Sequence, residues 1–527
     1  RGATPEDEPL VIHAKLGGSM SDLAGQLEIR LDASSGAVAI SSSRPVTAAR
    51  VFAGKSPAEV VRLLPTLFSL CGTAQAAACV GACEQALGRK PNATVLARRQ
   101  ALVHAETIKE HLWRLLLDWP QRLEPWAETR PTVDASARIN ANANARVSTE
   151  VKATLPAASA IEAKAMSPAT SAASAIEAKA MSPAASAASA IEAKATSPAT
   201  SAASAMPQVM RAFLALRQAQ QAAGDPFTLN PQQAEQGAAA VLDPSALLEL
   251  VTEQALGASP GAWLQVVDSP AALQRWAEQI RTPAAAVVRA VVAQGLAGCG
   301  ANPVARLPEA AWRSLAELLA SVDADAFIAA PRWQRECAET GPLARMATQP
   351  LIAALLAEHG NGLLTRLVAL LVDLAQSARG LEATLGAGME DRGRAVQSPL
   401  KDAGESFRPS LAGASEWELS SARKQAVTGH ETRSGVDAGI GIGIGIGIGA
   451  AEAARGLLVH RIRITEGRIA QYQILAPTEW NFHPAGVVAQ GLTTIARSGI
   501  KRPELERLAR LYITAVDPCV DYQLSVS

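Results

Sequence analysis

No two cysteines in this chain have the Cys-x-x-Cys spacing, which argues against a zinc or thioredoxin-type site. The six that exist, Cys71, Cys79, Cys83, Cys299, Cys337 and Cys519, are too sparse to staple 527 residues as a disulfide framework. Charge of one sign is not in excess either. Lysine plus arginine and aspartate plus glutamate each number 49, so there is no electrostatic case for nucleic acid or an anionic membrane surface. No run of eighteen uncharged apolar residues occurs, and Leu351 to Ala375 is broken by Glu358, His359, Arg366 and Asp373, which argues against membrane insertion. No secretory signal opens the sequence, and a start at Arg1 rather than Met implies that a few residues precede it. Aromatic residues make up only 4%, and alanine is plentiful, a balance that favours helices. These absences leave a cytoplasmic protein of a reducing compartment.

Apolar residues amount to 48%, enough for a large core and two or three domains. Residues 1–130 open with period-two runs at Gln26–Asp32 and Ala37–Ser41 around Ser34-Ser35-Gly36, a hairpin pattern. Ser56 and Pro57 suit the N-cap and first position of a helix whose Val60, Leu63, Leu64, Leu67 and Phe68 share a face. Gly72 permits a tight turn after Cys71, and a helix then runs from Ala74 to Leu87 and stops at Gly88. Cys71 thus precedes a helix N-terminus, where the dipole lowers a thiol pKa. A further helix over Val95–Leu117 carries Trp113, with Trp119 just beyond, and both tryptophans are expected in the core.

Composition then shifts. In 131–206 the heptapeptide Ser-Ala-Ile-Glu-Ala-Lys-Ala recurs at 159–165, 174–180 and 189–195, each copy with a single isoleucine, too little to bury a core. The segment is expected to be a low-complexity, mostly disordered insertion. Residues 207–386 read as amphipathic helices punctuated by Pro and Gly. Residues 387–450, with Gly and Ile alternating from Gly439 to Gly449, read as a repeat expansion in a tolerant loop. Residues 451–527 return to order. Leu457–Ile464 and Arg468–Leu475 alternate at period two around Glu466-Gly467, another hairpin. Helical patterns follow at Pro484–Ala496 and Pro503–Thr514, and Asp517-Pro518-Cys519 stands near the end.

From residue chemistry alone, candidate sites are few. Cys79 and Cys83 share a helix face but lack further ligands. Cys299 and Cys337 read as buried structural thiols, and His359, His430 and His460 have no ligand spacing. Cys71 and Cys519 stand apart, because each lies at an element boundary beside Gly or Pro.

Five segments in order resemble the large subunit of nickel–iron hydrogenases. Leu70-Cys71-Gly72-Thr73-Ala74 resembles Arg-Ile-Cys-Gly-x-Cys, and Gly341-Pro342-Leu343-Ala344-Arg345 matches an internal motif of that family. Glu452-Ala-Ala-Arg455-Gly456 resembles Glu-Ala-Pro-Arg-Gly, and Pro477-Thr478-Glu479-Trp480-Asn481 resembles Pro-Thr-Thr-Trp-Asn. Asp517-Pro518-Cys519 resembles the terminal Asp-Pro-Cys-x-x-Cys-x-x-His. The resemblance implies a mostly helical α+β fold, with small N- and C-terminal hairpins around a central helical bundle and both cysteines brought together.

The departures from that pattern matter as much. The second cysteine of each metal-binding pair falls on Ala74 and Tyr522, the histidines on Ala78 and Ser525, and the proton-relay glutamate on Ala24. The peptide clipped after nickel insertion in the enzymes is expected to be absent. What remains resembles the hydrogenase maturation proteins of the HupK and HoxV type, and implies no catalyst. By that resemblance Cys71 and Cys519 are metal ligands, and Arg455, Pro477 and Thr478 form the pocket for cyanide nitrogens. The cargo is a transient Fe(CN)2CO fragment, without nickel. The implied partners are the maturation proteins, a small chaperone and the immature large subunit. Two other readings stay open: a catalytically dead large-subunit homologue acting only through contacts, and a quinone-site subunit of a respiratory complex. Arg455 also has a simple alternative partner in Glu452, and Thr478 could cap a turn.

Overall fold

The computed structural model describes residues 25–128, 202–235, 242–308, 311–393 and 444–527. Ala24, the threefold repeat and His430 lie outside them. The chain is α+β and mainly helical, with two three-stranded sheets set on a helical core.

The N-terminal hairpin forms where the alternation placed it. Strands β1 (Leu27–Leu31) and β2 (Val38–Ser42) pair antiparallel. Asp32 Oδ1 accepts from the Ser34 and Ser35 amides at 2.8 and 3.0 Å to close the turn. Helix α1 (Pro57–Leu67) begins in a complete capping box. The Ser56 amide donates to Glu59 Oε2 at 2.9 Å, and Ser56 Oγ accepts from the Glu59 amide at 3.3 Å. Helix α2 (Gly72–Ala86) starts directly after Cys71. Gly72 is already helical, at φ −58°, so it makes no left-handed turn; the C-terminal side of α1 lies close by, with Pro65 O 3.1 Å from where a Cβ would stand.

Helix α3 (Ala93–Trp113) runs through a π-helical turn, Arg114–Asp118, into α4 (Trp119–Glu128). Trp119 is in the core as expected, whereas Trp113 is 38% exposed, because the packing face of α3 holds Ala105, Ile108 and Leu112 instead. Helix α5 (Ala202–Ala222) packs on α3, and α6 (Leu363–Gly393) lies along α3 through the middle of the molecule. Leu363, Leu371 and Ala375 on one face and Thr365, Ala369, Leu370 and Val372 on the others are all buried, so α6 is enclosed on every side, which marks a central helix. Its two buried charges are paired, Arg366 with Glu339 and Asp373 with Arg345 and His111.

The second sheet corrects the sequence reading. Its order is β3 (Ile444–Ala453), β4 (Gly456–Thr465), β5 (Arg468–Leu475), all antiparallel. The β4–β5 turn is the expected one, with Glu466 and Gly467 both at positive φ, 52° and 73°. Strand β3 takes in the Gly–Ile alternation from Ile444 onward, which is therefore a structural strand and not a tolerant loop. The reason is steric. At period two the glycines fall on one face of the strand, and that face lies against α2. A Cβ on Gly445, Gly447 or Gly449 would run into the carbonyl oxygens of Ala86, Ala82 and Ala78, one helical turn apart. The other face carries Ile444 and Ile446, both exposed.

Helices α7 (Pro477–Asn481), α8 (Val487–Ala496) and α9 (Arg502–Val516) follow. The last strand, β6 (Tyr522–Val526), adds to β1 in parallel and makes the N-terminal hairpin a three-stranded sheet. Among the described residues no helix is long and apolar enough to cross a membrane.

Gly447→Ala should therefore lower stability by about 1–3 kcal/mol through overpacking against α2. Ile446→Thr on the exposed face should change it by less than about 0.5 kcal/mol. Urea unfolding checks both, and equal stability of the two variants would contradict the packing.

Candidate functional site

Four elements converge on one point. Cys71 stands at the N-cap of α2, Cys519 follows α9, Arg455 forms the β3–β4 turn, and Thr478 lies in the first turn of α7. Gly456 makes the Arg455 turn possible, because at φ 135° a Cβ would meet Thr340 Cγ2 at 2.6 Å. Pro477 takes the first position of α7 and is buried; it sets the helix start and adds no polar contact.

Cys71 and Cys519 are free thiols in mutual hydrogen-bonding reach. The Cys519 amide donates to Thr478 Oγ1 at 3.3 Å, and the Thr478 hydroxyl reaches the Cys519 sulfur in turn. Gln75 Nε2 donates to Cys71 Sγ at 3.6 Å. Arg455 is fully enclosed. Its Nη2 donates to Glu110 Oε2 at 2.9 Å and its Nε lies 3.1 Å from Asp517 Oδ2, while Nη1 is buried without a hydrogen-bond partner. The Glu452 alternative falls away, since Glu452 pairs with Arg345 at 2.9 Å. Asp517 adopts a left-handed backbone, φ 62°, uncommon for a non-glycine residue. Arg114 Nη2 holds its second oxygen at 2.7 Å. Burial raises the Asp517 pKa, but Arg114 and Arg455 outweigh it and the carboxylate stays ionised.

The two thiols are not equivalent, and the dipole argument for Cys71 fails. Cys71 is pushed well above the ordinary thiol range because it donates to Cys519, is desolvated by its half-buried position, and faces Glu106. Glu106 occupies the helix N-terminus itself, accepting from the Thr73 and Ala74 amides at 2.9 and 3.0 Å. Cys519 is the ionised partner. The Cys71 hydrogen bond, with Arg455, Arg44 and Thr478, brings it down to about 6 against the desolvation of its half-buried position.

A cavity of about 130 Å³ reaches both sulfurs and is lined by Arg44, Gln75 and Glu479 among apolar side chains such as Phe68 and Leu70. Among the described residues no group of three or more His, Cys, Asp or Glu side chains is arranged to hold a metal. Ala74 is fully buried among alanines beside Cys71, and Tyr522 begins β6. The other cysteines lie elsewhere. Cys79 and Cys83 are buried in the core near Tyr472, Cys299 is buried, and buried Cys337 lies 3.4 Å from His483 Nδ1.

Sequence reasoning missed Glu106, Glu110 and Arg114, which hold the cysteine helix, Arg455 and Asp517 respectively. Their signal was available: three charged residues at four-residue spacing on the same face of an otherwise core-forming helix. Arg44 left no comparable trace.

Residues 300–520 match the family described as nickel-dependent hydrogenase, a span that includes Arg455, Thr478 and Cys519 but not Cys71. The hydrogenase expression/formation protein HoxV of Cupriavidus necator is 26% identical over 494 residues, 92% of this chain and 91% of that protein. The hydrogenase expression/formation protein HupK of Rhizobium leguminosarum is 45% identical over 78 residues, 15% of this chain and 20% of that protein. The chain is homologous to these HoxV and HupK proteins and carries a nickel-dependent hydrogenase domain. Among solved structures, a nickel–iron–selenium hydrogenase of D. vulgaris Hildenborough covers 92% of this chain and 93% of its own at 16% identity and TM-score 0.41. An NAD+-reducing nickel–iron hydrogenase covers 95% and 96% at 14% identity and TM-score 0.44.

The cysteine pair should lose its first proton near pH 6 and keep the second beyond the ordinary thiol value of 9.0. Between those values the unfolded chain binds the extra proton, so folding stability rises with pH across that window and is lost as pH falls through 6. Iodoacetamide labelling of Cys519 against pH, with urea unfolding of wild type and Cys519→Ser, measures both. A midpoint at the ordinary thiol value would contradict the assignment.

Proposed function

We propose that this protein is a non-catalytic carrier in hydrogenase maturation, which holds the Fe(CN)2CO unit on Cys71 and Cys519 before passing it on. The observation that carries this reading is the buried Arg455, whose charge acts on two free thiols that share one cavity and whose Nη1 has no hydrogen-bond partner. A buried donor with no acceptor costs about 1–3 kcal/mol, and a cyanide nitrogen is an acceptor that would relieve it. Thiolates are soft ligands suited to low-spin iron carrying such diatomics. The Thr478 hydroxyl, whose one O–H faces the Cys519 sulfur, would serve as a second donor by turning to a cyanide nitrogen, and Pro477 sets the helix turn that presents it. Kinship with proteins named for hydrogenase expression and formation supports a maturation role.

Two protein ligands suit cargo that must leave again. The fragment brings its own diatomic ligands, and the family positions that would add two further thiolates are Ala74 and Tyr522. A closed dinuclear centre with nickel is therefore not part of this reading. Binding converts both thiols to thiolates, and since Cys519 is already ionised, one proton is released from Cys71. The partners on either side of the transfer are the maturation proteins with their small chaperone and the immature large subunit, all cytoplasmic.

Infrared spectroscopy with iron and nickel analysis of protein purified anaerobically from a hydrogenase-producing host is the test. Cyanide and carbonyl stretches with iron and without nickel are expected, and should disappear in Cys71→Ala and Cys519→Ala. In Arg455→Lys the cyanide bands should shift and retention should drop by about 10–100-fold, the usual effect of losing a supporting contact to a metal ligand. Wild-type protein free of iron and of bands would sink the carrier reading in favour of a homologue that acts through contacts alone.

A further inference from the structure

The thiols are flanked by guanidinium groups that reach them along different routes. Arg455 comes from the interior and does not line the cavity. Arg44 comes from the loop after β2 and does line it, with Glu479 beside it. Arg44 Nε lies 2.9 Å from Glu479 Oε1, and the two side chains are only 15% and 10% exposed. A charged pair so enclosed is held by its surroundings. Glu479 is fixed a second time by the Ala476 amide, which donates to Oε2 at 3.2 Å. The backbone of Arg44 is fixed by Gly25, at φ 68°, where a Cβ would meet Arg44 Cα at 2.5 Å. Glu479 also stands where the hydrogenase pattern has threonine, so the carboxylate anchoring Arg44 belongs to this chain's own version of the motif.

We propose that Arg44, anchored by Glu479, selects small anionic, sulfur-seeking species at the cavity that leads to Cys71 and Cys519. This rests on reading that pair as the seat of a metal fragment, and it names the class of fragment admitted. The Arg44 charge bears on both sulfurs. The other polar group at the cavity, Gln75, points its amide donor at Cys71, and its Oε1 is buried without a partner. Around the thiols the lining thus offers the Arg44 and Gln75 N–H donors beside the Cys519 sulfur and the Gln75 carbonyl oxygen, and its one carboxylate is already engaged. An iron already carrying cyanide presents anionic acceptor nitrogens to the guanidinium, a contact that a bare divalent cation cannot make.

Alkylation of the purified full chain tests this without any cargo. Iodoacetate is anionic and iodoacetamide is its neutral counterpart. With either, a thiolate sulfur bonds to the methylene carbon and iodide leaves. Peptide mapping follows Cys71 and Cys519. In wild type, iodoacetate should be favoured over iodoacetamide, and added salt should slow only iodoacetate. In Arg44→Met the rate ratio should fall about tenfold, and Arg44→Lys should keep most of it. The opposite salt response in wild type, no labelling of either thiol, or equal slowing of both reagents by Arg44→Met would overturn the proposal. The wild-type salt response decides the matter even if Arg44→Met fails to fold. A wild-type preference for iodoacetate that falls in Arg44→Met, with no infrared bands, would leave Arg44 as the selector and remove the iron cargo, so the two readings fail separately.

Discussion

A guanidinium sealed inside the protein is the constraint on which this site depends. Arg455 is 3% exposed and has carboxylates at Glu110 and Asp517. Removing either partner from such a buried pair typically costs about 3–5 kcal/mol, because the other charge is left uncompensated. The turn that holds Arg455, the helix that holds Glu110 and the loop that leads to Cys519 are therefore tied together. Asp517 shows the tension of that arrangement. Its left-handed backbone is unfavourable for an aspartate and persists because Arg114 and Arg455 hold both carboxylate oxygens.

The second constraint is how closely α2 approaches β3. Three glycines let the strand lie against helix carbonyls without an intervening side chain, and farther along Ala451 and Ala453 meet Ala74 and Ala78. The face stays small over its whole length. This contact spaces the cysteine helix from the strand that ends in Arg455. Cys71 and Arg455 belong to segments far apart in sequence, and their relation is set by backbone packing, which deforms less than long side chains do. The parallel pairing of β6 with β1 supplies the corresponding restraint on the Cys519 side.

Within this frame the two thiols divide their work. Cys519 faces positive charge and a hydroxyl, and Cys71 faces Glu106 and donates its proton. The helix dipole at Cys71 is already answered by Glu106, so an argument from helix position alone picks the wrong thiolate.

The amino-acid sequence alone was enough for whatever depends on neighbours in the chain. Both hairpins, the Glu466-Gly467 turn, the Ser56 capping box and the prominence of Cys71 and Cys519 rest on periodicity, turn chemistry and punctuation, which act over a few residues. Family resemblance added Arg455 and Thr478. The tertiary structure decided everything set by partners distant in sequence. It made a strand of the Gly–Ile repeat, because α2 supplied a surface only glycine fits. It turned Trp113 outward, assigned Glu110 and Asp517 to Arg455, brought Arg44 and Glu479 to the thiols, and chose Cys519 over Cys71 as the thiolate. A buried charge gives its position in a pattern through its own residue type, but its role comes from the group that neutralises it, and that group is found only when the chain has folded.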